Sequence, residues 1–223
     1  MQSIDDEIER RSLLKHRFYQ LWSAGSLSMA DLQGYSKEYF QLVQAVPTLV
    51  SNVLEQARPA LGHDSEYANK IKDNLEEEKR HIAPWISFAE SIGVPRNDLY
   101  DYKCSSKTRD AVMNMGELTR RSFASGMSIL YTFEKQLPEI SAKKIEGLIN
   151  FYGVEGDRAL EYFRIHQKVD IEHADLWRHL LESVPVVQQE MILDAASKSL
   201  ICQNMVLDGV CDTYLADKGQ PTN

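Results

Sequence analysis

The chain has 223 residues, 43% of them hydrophobic, which is enough for one domain with a sizeable core and too apolar for a disordered chain. Its formal net charge of −8, with 25 basic residues dispersed among 33 acidic ones, offers no basic face for a phosphate backbone, so nucleic acid is not an expected partner. The N-terminus is acidic, no apolar run reaches the ~18 residues of a membrane span, and Cys104, Cys202 and Cys211 lack CxxC spacing, so a soluble cytoplasmic protein without disulfides is expected.

Apolar residues recur at three- and four-residue steps through nearly every long segment, and none alternates with period two over a strand's length. The expected fold class is all-α, with seven helices at roughly 3–23, 29–57, 64–92, 105–136, 140–152, 156–182 and 186–216. Ser28 precedes the second helix as an N-cap and Asp64 the third, while Gly93-Val94-Pro95 closes the third. Pro47 and Pro84 fall inside helical patterns, where a residue without an N–H removes a backbone hydrogen bond, so a kink is expected at each. Pro138, just beyond Tyr131-Thr132-Phe133-Glu134, should break the fourth helix after Glu134. With no repeat, low-complexity tract or linker, residues 1–216 are expected to form one domain, followed by a disordered tail at 217–223.

The sharpest chemical feature is His166-x-x-x-Asp170-x-x-His173. Steps of four and three residues return to one helical face, so these side chains are expected to share one stripe over about two turns and reach a common site. Imidazole and carboxylate suit iron, manganese or zinc; the competing reading is a charged helix with polar groups placed by chance. His179 falls on the opposite face and is left out.

Glu78-Lys79-Arg80-His81 has the Glu-x-x-His spacing of carboxylate-bridged dimetal bundles. A run of three glutamates is ordinarily a solvated face, and Glu77, one turn before His81, is an alternative to Glu78. Glu134 ends the apolar stretch Ile129-Leu130-Tyr131-Thr132-Phe133; if buried it must be neutralised, paired or metal-bound, and if exposed at a helix end it needs no partner. Glu78, His81, Glu134, His166, Asp170 and His173 together offer three carboxylates and three imidazoles on three helices. That set suits two divalent ions with positions open to dioxygen or an anionic substrate.

A wider pattern accompanies these residues: Leu14-Lys15-His16-Arg17-Phe18-Tyr19-x-x-Trp22-Ser23-x-Gly25, Tyr35-x-x-x-Tyr39, Asp73-Asn74-Leu75, Ser122-Phe123-Ala124-Ser125-Gly126, Tyr131-Thr132-Phe133-Glu134-x-Gln136-Leu137-Pro138 and Lys144-Ile145-x-Gly147-Leu148. It covers most of the chain and resembles the haem-oxygenase-like dimetal oxidases, related in fold to thiaminase II (TenA) and pyrroloquinoline-quinone synthase (PqqC) proteins. Within that superfamily it is most similar to the 4-aminobenzoate-forming branch that includes the chlamydial protein associating with death domains. The resemblance implies a seven-helix haem-oxygenase-like bundle, a homodimer, and a dinuclear iron or manganese–iron centre that uses molecular oxygen and a reductant. It further implies formation of 4-aminobenzoate for folate synthesis by cleavage of one of the protein's own tyrosines. By residue-level match Tyr19 is the sacrificed tyrosine, Lys144 the amino donor, and the six residues above the metal ligands. Read from the residues alone, Tyr19 is an ordinary core aromatic and Lys144 a solvated lysine. Phe133 stands where the chlamydial protein has a second tyrosine, so that either radical transfer is disabled or another tyrosine such as Tyr131 substitutes, and the Glu78-to-His81 spacing is shorter than the chlamydial one by about a turn.

Other functional classes make different demands. A thiaminase-like hydrolase needs a nucleophilic cysteine near the fourth helix, whereas Cys104 falls in the preceding loop and Cys202 and Cys211 on the last helix, where buried structural cysteines are commoner. An enzyme of the same fold acting on an external small molecule is a further alternative. A protein-interaction module would need a partner surface, and the sequence identifies none.

Overall fold

In the computed structural model, which describes residues 1–62 and 65–218, every regular element is helical, as the apolar spacing requires. The helices are α1 Gln2–Arg10, α2 Arg17–Ser23, α3 Met29–Leu61, α4 Glu66–Ser91, α5 Arg96–Tyr100, α6 Ser106–Arg121, α7 Phe123–Glu134, α8 Leu137–Asn150, α9 Asp157–His166, α10 Val169–Glu182 and α11 Gln189–Tyr214. Three of the seven expected helices are thus interrupted, and α5 adds a short turn between the third and fourth. Asp64 and residues 219–223 of the expected tail lie outside the described residues.

Each interruption has a local cause. Between α1 and α2, His16 is extended (φ −69°, ψ 143°) and its Nδ1 accepts the Phe18 N–H, capping a new helix. Between α6 and α7, Ser122 is extended (φ −165°, ψ 159°) and its hydroxyl accepts the Ser125 N–H. Between α9 and α10, the Lys168 N–H bonds back only three residues to Ile165, which tightens the last turn and ends it. Glu134 closes α7, and α8 opens at Leu137 with Pro138 in its first turn, where the missing N–H costs nothing.

Ser28 caps α3 in a reciprocal capping box with Asp31. This 33-residue helix runs through Pro47 and Pro59 and packs against α4, α6, α7 and α11. Helix α4 runs through Pro84 and is followed by Gly93 at φ 85°. From Ala124 to Glu134 every residue of α7 is buried, the behaviour of a helix enclosed on all sides. Helix α4 packs on α9 and α7 on α10, which brings four helices around one interior volume. No helix among the described residues is long and apolar enough to cross a membrane.

Helices α2 and α8 meet where Gly147 faces the fully buried Trp22 indole, and a Cβ at that glycine would overlap the ring. Because Trp22 is rigid and enclosed, Gly147→Ala should destabilise the fold by ~1–3 kcal/mol in urea unfolding; an unchanged midpoint would show that α2 and α8 can separate freely.

Candidate metal centre

Helix α4 presents Glu78 and His81 one turn apart, both buried. His166 ends α9, and Asp170 and His173 lie on the first turns of α10, all buried. The donor atoms fall into two groups, Glu78/His81/His166 and Glu78/Asp170/His173, each with its atoms within 4.8 Å of one another. Glu78 belongs to both. Its Oε2 lies 3.3 Å from His81 Nδ1, and its Oε1 lies 4.0 Å from His173 Nδ1, so the two oxygens diverge toward the two groups. His173 Nδ1 is also 3.5 Å from Asp170 Oδ1, and the His81 and His166 rings are 4.6 Å apart.

The expected single stripe from His166 to His173 is therefore corrected. The helix breaks at Gln167–Lys168, so His166 turns toward His81 while Asp170 and His173 form the other group. Glu134, fully buried on α7, joins neither tight group. Its two oxygens accept hydrogen bonds from Asn74 Nδ2 (3.3 Å) and from the Trp177 indole N–H. The alternative Glu77 is half-buried and meets His173 from outside, 3.0 Å from Nε2. His179 is exposed and pairs with the Tyr67 hydroxyl at 2.7 Å.

Both oxygens of Asp170, His81 Nδ1 and His173 Nδ1 are buried without a hydrogen-bond partner, which is the condition a bound cation relieves. Burial pushes the Glu134 and Asp170 carboxyls well up, and the neighbouring Glu78 adds to this in both. Burial would also raise Glu78, but the His81 imidazole 3.3 Å away and the imidazoles of His166 and His173 bring it below its ordinary value. Burial lowers the His166 imidazole to about 4, keeping it neutral, and its Nδ1 lies 2.6 Å from the Tyr162 carbonyl. That bond fixes the ring with Nε2 free to ligate. A set of carboxylate oxygens and neutral imidazoles fits iron or manganese.

Tyr19 on α2 and Lys144 on α8 are brought together away from solvent, each only 1% exposed. Lys144 Nζ lies 5.7 Å from the Tyr19 ring centroid, 5.2 Å from Tyr35 and 4.8 Å from Tyr39, with Trp85 and Phe163 completing the enclosure. The solvated-lysine expectation is thus overturned, because helix packing seals the stem and the amine inside aromatic walls. Tyr131 is placed elsewhere: its hydroxyl is bonded by Asp5 of α1 and by Arg178. Phe133 is buried. Tyr39 and Tyr162, which the sequence reading gave no role, sit close enough to Glu78 and Asp170 that, after burial itself, these charges raise both phenols. Tyr162 lies against the His166 ring at 4.1 Å. Burial pushes the Cys202 and Cys211 thiols up to about 11, the opposite of an activated nucleophile.

An interior cluster of carboxylates and imidazoles inside an all-α bundle defines the class as a haem-oxygenase-like helical metalloprotein. A TenA homologue from Pseudomonas syringae pv. tomato superposes with a TM-score of 0.80 at 15% identity, covering 95% of this chain and 92% of that one. A CADD-like protein from Nostoc punctiforme gives 0.73 at 12% identity with full coverage of both chains. The family model for iron-containing redox enzymes matches residues 34–204, and the chain belongs to that family. It is 35% identical to a 4-aminobenzoate synthase of Chlamydia pneumoniae over 81% of this chain and 80% of that protein. It is also 31% identical to one of Nitrosomonas europaea over 97% and 92%. The protein is an oxidoreductase with a metal cofactor.

Burial lowers the Lys144 ammonium to about 7 in the folded chain, below its ordinary 10.5. Between these values the unfolded chain holds the extra proton, so this residue makes stability rise with pH there, and its full penalty applies below about 7. Lys144→Met should therefore stabilise the protein most at low pH and remove a slope of up to ~1.4 kcal/mol per pH unit, read by urea unfolding across the window. Parallel pH profiles for the two proteins would show that Lys144 is solvated.

Proposed function

We propose that this protein is an oxygen-dependent dimetal oxidase that forms 4-aminobenzoate, with Tyr19 supplying the ring and Lys144 the nitrogen. The observation that carries the reading is the sharing of Glu78 between two groups of donors, which suits a carboxylate bridging two ions. Glu78, His81 and His166 would hold one ion, Glu78, Asp170 and His173 the other, and Glu134 would complete the set from α7. The metals are assigned as two irons or manganese with iron, and dioxygen and an external reductant are the small-molecule partners. When bound, the metal pair supplies oxygen activation and the oxidising equivalents for attack on a phenol.

The chain's own residues prepare that attack. Burial keeps the Tyr19 hydroxyl protonated, so its oxidation has to release a proton as well as an electron; Tyr19 neighbours Tyr35 and Tyr39, whose ring centroids are 5.3 Å apart, and Tyr39 in turn feels Asp170 and Glu78. Lys144 at about 7 carries a free amine in a large fraction of molecules at neutral pH, as nitrogen donation requires. The enclosure excludes water from both groups, which protects an oxidised ring from side reactions. The names of the Chlamydia and Nitrosomonas relatives support the same product.

Metal analysis after anaerobic loading should find about two ions per chain, about one in His81→Ala and almost none in Glu78→Ala. Equal losses in the two variants would argue against a shared carboxylate. After reduction and exposure to oxygen, intact mass should show loss of the Tyr19 side chain, abolished in Tyr19→Phe with metal content retained. An unmodified Tyr19 beside newly formed 4-aminobenzoate would assign the ring to an external substrate.

A further inference from the structure

Between α4 and α10 a cleft of about 730 Å³ opens from the surface onto the candidate centre, with Asn74 and His173 among its lining residues. Its wall carries four carboxylates, Asp73, Glu77, Glu172 and Asp175, against Lys70 and Lys168. Lys70 is engaged by Glu66 at 2.7 Å, so the carboxylates dominate the local field. Two buried atoms of the lining residues, Asn74 Oδ1 and His173 Nδ1, have no hydrogen-bond partner. Glu77 spans the boundary: it is partly exposed to solvent and lies 3.0 Å from His173 Nε2.

We propose that this cleft is the route by which the metal ions reach the centre, with Glu77 receiving each ion from the acidic wall and passing it inward past His173. The inference rests on the dimetal reading above. A hydrated divalent cation is drawn by a concave surface of negative charge and exchanges its waters stepwise for carboxylate oxygens. Glu77 accepts the Nε2–H of His173, which leaves the Nδ1 lone pair facing Asp170 and Glu78. A cation at Glu77 therefore lies one imidazole away from the interior donors. An anionic small molecule would meet the wrong sign of charge along the same wall.

The test uses cobalt(II) as the probe, mixed with full-length apoprotein while uptake is followed by cobalt absorption and final content by elemental analysis. The triple variant Asp73→Asn/Glu172→Gln/Asp175→Asn removes three wall charges and no proposed ligand. Asp98→Asn/Glu117→Gln/Glu139→Gln removes the same number of exposed charges elsewhere and serves as the control. At low ionic strength the cleft variant should load about five-fold or more slowly than the control, the gap should close at high salt, and final content should be unchanged. Glu77→Gln, which keeps an acceptor for His173 but loses the charge, should load slowly in the same salt-dependent way. A cleft variant that loads as fast as the control overturns the route, and one whose final content falls shows instead that the wall holds the ions. Absence of cobalt binding by the wild-type chain would remove the dimetal reading itself, an outcome separate from either.

Discussion

Burying three carboxylates in one small volume is the constraint on which this molecule is built. Removing even one ionised carboxylate from water costs several kcal/mol, and Glu78, Glu134 and Asp170 also repel one another. Hydrophobic collapse alone gives no reason to gather them. Cations bound among them would offset that cost, and both oxygens of Asp170 are buried without a hydrogen-bond partner. The surrounding atoms are arranged accordingly. Trp177 and Asn74 hold Glu134, the Tyr162 carbonyl holds His166, and Glu77 holds His173. Each imidazole is held through one ring nitrogen and keeps the other for the interior, whereas both oxygens of Glu134 are engaged.

The same helices build the enclosure around Lys144. Trp85 stands one turn after His81 on α4, and Phe163 three residues before His166 on α9, so ligand and aromatic wall alternate along each element. The buried amine and the cluster of carboxylates and imidazoles are thus placed side by side by helical periodicity, with Tyr39 of α3 next to both.

The all-α class was readable because apolar spacing is a local property, and the candidate ligand residues stood out because metal chemistry restricts side-chain types and their helical steps. What could not be read was direction. His166, Asp170 and His173 share one stripe only if the helix is continuous, and the three-residue backbone bond at Lys168 that ends α9 leaves no mark in the residue pattern. Choosing between Glu77 and Glu78 likewise depends on a rotation of about 100° on α4, and that helix is oriented by its packing, chiefly against α3 and α9. Asn74 and Trp177 carry no signal of their own, since an asparagine or tryptophan that supports a carboxylate looks like any other. Lys144 misled for a related reason: composition places lysine outside, and only the closure of α2, α3 and α8 around it brings it in.

The break at Gln167–Lys168 has a mechanical meaning. Within one continuous helix the separation between the two donor groups would be set by a fixed rise per residue. Here His166 rides on α9, which packs on α4 and α8, whereas Asp170 and His173 ride on α10, which packs chiefly on α7. The spacing of the two positions is therefore set by how two separate helices seat in the bundle. Because α8 packs on α9 and also carries Lys144, the helix that holds the buried amine is in direct contact with the helix that positions His166.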